Sequence, residues 1–427
     1  MPLNLKLGTA KVDITPAEPL QLAGFSARHG LNYEIIDQPI FARIHYFEQD
    51  HNVSNKRKSL VISADILSWG LELIKRLRTK IYKRWKITQN AIIFHATHNH
   101  SGPQTSNSLI EIGELEPRYI QLLEARLLKG IGSAIGNLEE VQVERGKGHC
   151  PIGINRRKYV NGKIDIAPNV DGPKDPEVNV IRFTTMEGKT KALFVHYTCH
   201  PATTNRNVLS AEFCGIAVDY LERYLGEGAF VSYLQGCCGD IDPLLQKSGT
   251  EGTEAINILG HILAEEVIRI VNTSLKPVTI DELRCSQKTI DLPFQRVPSI
   301  KELRQIEQSK TGIVKKWAQK LLDEPERLQQ SIPLKLTRLD IADGLSFLAF
   351  NAEIVVEYGS FIKNNFANKI LPIPYSNGTI GYVVTAKQLE EGGYEPEESI
   401  FCYGLPSRFD PIIEEKIRSG IIQFLNS

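Results

Sequence analysis

Three of the ten histidines crowd into one stretch, His95-Ala96-Thr97-His98-Asn99-His100-Ser101-Gly102-Pro103. His98 and His100 stand two apart, so an extended backbone puts both on one face. That spacing lets two imidazoles reach one metal ion, or lets one ligate while the other carries protons. The Gly-Pro step fixes a turn and ends the segment. A pair of ordinary loop histidines has the same spacing, so a metal centre needs further ligands from elsewhere in the chain. His95 falls inside the preceding apolar run and belongs in or near the strand.

Two further segments carry candidate chemistry. In Thr198-Cys199-His200-Pro201-Ala202-Thr203-Thr204, a histidine is clamped by proline and can present one ring nitrogen rigidly. His196 reads as a core histidine on the same face. Alternation turns Cys199 to the opposite face, so it is not taken as a ligand. In Gln235-Gly236-Cys237-Cys238-Gly239-Asp240-Ile241-Asp242-Pro243, two glycines permit close backbone approach to a ligand, and N–H groups there could stabilise an oxyanion. Asp240 and Asp242 could orient a histidine or act as base. A nucleophilic Cys237 or Cys238 is the sharper alternative and needs an activating histidine.

The elements that must position these residues are legible in outline. Leu60–Asp65, Ala91–Thr97, Ala192–Thr198 and Phe230–Leu234 are short apolar, strand-like runs. Three of them deliver polar residues at their C-terminal ends, where open α/β sheets bind ligands. Leu71 to Trp85 reads as a helix. Pro117 opens another, with Ile120, Leu123, Leu127, Ile131 and Ala134 stepping by three and four. Ile256, Leu259, Leu263, Val267 and Ile270 mark a third. Val141–Glu144, Lys335–Asp340 and Ser346–Asn351 read as strands, Leu371–Gly378 as a Gly/Pro/Asn-rich loop, and Ile412–Leu425 as a closing helix. Residues 296–335, rich in Lys, Glu and Gln, form an inserted segment of one or two solvent-facing helices. The order is that of an α/β protein.

Composition narrows the function classes. The 427 residues carry 50 Lys+Arg against 50 Asp+Glu, a balance that argues against broad nucleic-acid binding. Hydrophobic residues make up 42%, enough for a sizeable core. No run approaches about 18 apolar residues, so no membrane span is expected. Met1 to Lys11 shows no secretory pattern. Seven cysteines are too few, and odd in number, for a disulfide scaffold. These features point to a reduced, cytoplasmic protein.

Taken together the motifs resemble the catalytic domain of the neutral (non-lysosomal) ceramidase family. Gly8-Thr9-Ala10-Lys11-Val12-Asp13-Ile14-Thr15-Pro16 with Ala23-Gly24-Phe25 is similar to its N-terminal signature. Ala96-Thr97-His98-Asn99-His100-Ser101-Gly102-Pro103 is similar to its Thr-His-Thr-His-Ser-Gly-Pro block. The resemblance implies a zinc centre with His98, His200, Glu353 (in Phe350-Asn351-Ala352-Glu353) and Tyr382 (in Gly381-Tyr382-Val383-Val384-Thr385) as ligands. It implies that His100 is the non-ligand histidine beside the metal, Arg156 the arginine that contacts substrate, and Tyr394 the second active-site tyrosine. Asp242 departs from the pattern, standing where the family's Gly-Asp-Val-Ser-Pro block has serine. This makes ceramide itself a poor candidate and leaves Asp242 a base or a contact for a cationic or hydroxylated substrate.

The resulting expectation is one domain over residues 1–427, with a large mixed sheet flanked by helices and a helical insertion near 296–335. The chain is expected to end where the family's C-terminal immunoglobulin-like domain would begin. The expected activity is zinc-dependent hydrolysis of a C–N amide bond in a soluble, linear or cyclic small molecule. The same site would serve an ester or lactone, and a non-catalytic metal-containing binding protein is the rival from another class.

Overall fold

The computed structural model describes residues 3–52, 55–226, 228–246 and 251–426. Its architecture is α/β with a large mixed sheet flanked by helices, as the sequence led one to expect. The main sheet has nine strands among the described residues. Eight follow one path: Val231–Gln235, Thr190–Tyr197, Glu177–Thr185, Glu139–His149, Leu5–Asp13, Phe41–Asn52, Asn55–Ala64 and Ile92–Ala96. Lys276–Val278 pairs beside Glu139–His149. The two terminal pairs of this path are parallel; the pairs between them are antiparallel.

Period-two alternation decides what each face meets. Leu60 and Ile62 pack with Leu73, Leu77 and Ile81 of the helix Leu71–Trp85 and with Leu123, Leu127 and Ile131 of the helix Pro117–Gly136. Val61, between them, packs on the opposite side against a second, four-stranded sheet. That sheet runs Ile280–Pro293, Ser331–Ala342, Leu345–Phe350, Ile370–Ile373. Its outer face is covered by the helices Val356–Asn365 and Ile413–Leu425, through Ile362, Ile413, Ile417 and Ile421.

The second sheet corrects one expectation. Leu371–Ile373 is not loop but strand, paired in parallel with Phe347–Ala349. Leu371 and Ile373 are fully buried between the two sheets, and tertiary packing overrides the prolines in and beside the strand. The helical insertion is present as Ile300–Ser309, opened by a Ser299/Glu302 capping box, and Gly312–Asp323. It is shorter than expected, because Ser331 onward is already strand. One face is not solvated: Leu303, Trp317, Ala318 and Leu321 bury against Ile110.

The two ends of the main-sheet path meet. The backbone N–H of Gln235 donates to Nε2 of His95 at 2.9 Å, and Ser63 Oγ donates to the Tyr233 carbonyl at 2.8 Å. This closure brings the loop after Ile92–Ala96 beside the loop after Thr190–Tyr197. Among the described residues no helix is long and apolar enough to cross a membrane.

Candidate metal centre

His98 does not sit on extended backbone as its spacing suggested. Its φ is 65°, a left-handed conformation that side chains rarely adopt. The turn is over-determined by its surroundings. Thr97 N–H donates to the Ala64 carbonyl, Asn99 N–H to the Ile66 carbonyl and His100 N–H to the Pro201 carbonyl. Asn99 Nδ2 reaches the carbonyls of Asp65 and Ser210. Gly24 must be glycine here: its φ is 106° and a Cβ would lie 2.7 Å from His100 Cα and Cβ.

The histidine tautomers follow from their backbone partners. His98 Nδ1 donates to the Leu67 carbonyl at 2.9 Å and His200 Nδ1 to the Ile241 carbonyl at 3.2 Å. Each ring therefore turns a lone pair outward from Nε2. The two Nε2 atoms stand 3.1 Å apart, and His100 Nε2 lies 3.2 Å from that of His98. Glu353 Oε2 lies 3.1 Å from His98 Nε2 and 3.6 Å from His200 Nε2, yet makes no hydrogen bond. Lone pairs and a carboxylate converging without a shared proton repel one another unless a cation sits among them. The donor set is nitrogen and oxygen, as divalent zinc takes, so these residues fit a metal ion. His98, His100 and His200 lie close enough together to hold one.

Burial, then the neighbouring His98 and His200 rings, hold His100 well below the usual imidazole range, so it is neutral at pH 7. Burial lowers His200 as well.

A second cluster abuts the first, because Glu353 and Tyr382 are paired residues of a short parallel ladder. Arg156 donates from Nε to Glu395 at 2.8 Å, from Nη1 to Asp242 at 3.0 Å and from Nη2 to the Tyr382 hydroxyl at 3.0 Å. Its guanidinium lies 5.6 Å from the ring centroids of both Tyr382 and Tyr394. Burial and the nearby Glu353 push the Tyr382 phenol well above its ordinary value. His98, His100, His200, Glu353, Arg156, Asp242, Tyr382 and Tyr394 thus fall within these two contiguous clusters.

Asp242 is engaged on both oxygens: Oδ1 accepts from Arg156 and Oδ2 from Gln246 at 2.9 Å. Other expectations fail. The glycine turn offers little to an oxyanion, since the N–H groups of Gly236, Gly239 and Ile241 are bonded to the carbonyls of Tyr197, Ile354 and Cys238. Burial pushes the Cys237 and Cys238 thiols up, away from nucleophilic thiolate. The sequence also missed residues. Tyr375 stacks on His98 with centroids 4.1 Å apart. Glu395 bridges Arg156 to Arg157. The Tyr403 hydroxyl donates to Glu353 Oε1. Glu395, beside Tyr394, could have been noticed as a partner for Arg156-Arg157; nothing local marks Tyr375 or Tyr403.

Fold and site together define an α/β protein built around a buried imidazole–carboxylate centre, and the fold is that of the neutral ceramidases. The chain is similar to the crystal structure of neutral ceramidase from Pseudomonas aeruginosa, with TM-score 0.74 and 18% identity over 98% of this chain and 73% of that one. A ceramidase complexed with C2 gives TM-score 0.75 and 16% identity, over 98% and 74%. No family model and no curated protein sequence matches.

Proposed function

We propose that the chain is a zinc-dependent hydrolase that cleaves the C–N amide bond of a small molecule. The observation that carries this reading is the convergence of His98 Nε2, His200 Nε2 and Glu353 Oε2, with both imidazoles pinned through Nδ1. These three residues would hold the metal, and the Tyr382 hydroxyl, oriented by Arg156, would be the further ligand that the resemblance implies. Zinc bound there supplies Lewis acidity, polarising a carbonyl and bringing the pKa of water to ~7.

The rest of the chemistry belongs to the chain. Neutral His100, beside the ligands and half-buried, accepts a proton from the attacking water and returns it to the departing amine. Arg156 stays cationic although burial opposes it, because Tyr382, Asp242 and Glu395 surround it. Together with Tyr394 it presents donors to the substrate carbonyl oxygen as negative charge grows there. Asp242 and Glu395 fix the guanidinium and consume most of its charge, which favours an uncharged amide over an anionic one. The same machinery would open an ester or lactone.

A single domain over residues 1–427 and a cytoplasmic location belong to the same proposal; free cysteines suit a reducing compartment. The test is metal content by plasma mass spectrometry, wild type beside His98→Ala. About one zinc per chain, lost in the variant, supports the reading and justifies a screen of amides, lactones and esters at neutral to alkaline pH. Wild type that takes no metal after zinc reconstitution overturns it. Zinc without turnover on any of the three classes returns the binding-protein alternative.

A further inference from the structure

We propose that Tyr403 is a positioning residue for the Glu353 carboxylate, and that the inserted helical pair holds Tyr403 in place through Trp317. The proposal rests on the metal-centre reading above.

Glu353 divides its two oxygens. Oε2 faces His98 and His200, while Oε1 accepts the Tyr403 hydroxyl. The last torsion of a glutamate is broad and weakly restrained. One anchored oxygen therefore decides how the other meets the histidines. Both residues are buried, so water does not substitute for the phenol. Ligating carboxylates gain their orientation from such outer partners.

Tyr403 is itself gripped. It closes the short helix Ser399–Tyr403, and Gly404 after it has φ 59°. The indole N–H of Trp317 donates to the Leu405 carbonyl at 2.7 Å. The Trp317 and Phe401 rings meet edge-on, 5.3 Å apart and at 88°. The Cys402 carbonyl accepts from Ile110 N–H at 2.8 Å. Residues on either side of Tyr403 are thus pinned by the helix Gly312–Asp323 or by the loop that Trp317 packs on. The insertion reaches the metal centre through one chain of contacts: Trp317, the 401–405 segment, Tyr403, Glu353.

The experiment measures zinc affinity by chelator competition, and the visible spectrum of the cobalt(II)-substituted protein, for wild type and four variants. Tyr403→Phe is expected to weaken zinc by about 10- to 100-fold and to shift the cobalt bands. Trp317→Phe is expected to weaken zinc in the same direction, by less. The double variant is expected to be no weaker than Tyr403→Phe, since both changes act on one link. Tyr358→Phe is the control. It deletes a buried hydroxyl bonded to the Val384 carbonyl in the same core and should leave zinc affinity and cobalt bands unchanged. Wild-type affinity and spectrum in Tyr403→Phe overturn the proposal while leaving the metal centre standing. Full additivity in the double variant overturns the role of the insertion. If Tyr403→Phe does not fold, the cobalt spectrum of Trp317→Phe decides alone: unchanged bands overturn the link and shifted bands support it. Wild type without zinc affinity overturns the metal-centre reading, and this proposal with it.

Discussion

Arg156 and Asp242 meet at 3.0 Å between Nη1 and Oδ1, with both side chains at or below 10% exposure. The aspartate that replaces the serine of the ceramidase-like block is therefore a clamp on the guanidinium. Asp242→Asn keeps an oxygen acceptor for Nη1, and turnover should fall by about tenfold or less. A general base lost at this position would instead cost about 10²–10⁴-fold. Asp242→Ala strips one carboxylate from a buried arginine and should lower stability by about 3 kcal/mol. Steady-state kinetics and urea unfolding read the two effects separately.

The three histidines of the Nε2 cluster should divide by readout. His98→Ala and His200→Ala should lose zinc along with turnover, because each removes a pinned lone pair. His100→Ala should retain zinc and lose about 10²-fold or more in kcat, the signature of a proton carrier. Metal analysis beside kinetics checks this. A His100→Ala protein without zinc would make His100 a ligand.

Stability should fall as pH rises through neutrality, partly because of Glu212. This buried carboxyl accepts the N–H groups of Thr203 and Thr204 through Oε1, while Oε2 has no hydrogen-bond partner. Burial pushes its pKa up to about 7 from 4.5. Between these values the folded chain binds a proton that the unfolded chain has released. The stabilisation is therefore complete below about pH 4.5 and lost as pH passes 7. The group accounts for about 3 kcal/mol across that window. Urea unfolding at pH 5.5 and pH 8 should show the fall in wild type and a smaller one in Glu212→Gln. The difference isolates Glu212 from Asp240, which burial also pushes up to about 7.

Cysteine chemistry should be silent in the native state. Cys237 and Cys238 are buried, and Cys238 Sγ sits 3.1 Å from the Tyr375 hydroxyl. Iodoacetamide should label the half-buried Cys285 and Cys402 first, and slowly, since burial pushes both up to about 11. Cys238→Ala should retain zinc and turnover. Peptide mapping of the labelled protein, with activity of the variant, tests both points.

The sequence by itself determined the parts whose information is local. Apolar runs fixed the strands around Leu60–Ala64 and Ile92–Ala96, and three-and-four spacing fixed the helix Pro117–Gly136. The His98–His100 block and the His200-Pro201 step announced themselves through residue type and spacing. Tertiary structure alone decided that Leu371 begins no loop, because a buried parallel partner outweighs nearby prolines. It decided that Asp242 meets Arg156, and that Tyr375 and Tyr403 touch His98 and Glu353. Those contacts join residues 50 to 277 positions apart in the chain. Short-range periodicity reports which face of an element is buried and carries no record of what lies across the core from it. The partner is chosen only when the two ends of the main sheet close on each other and the second sheet packs beneath them.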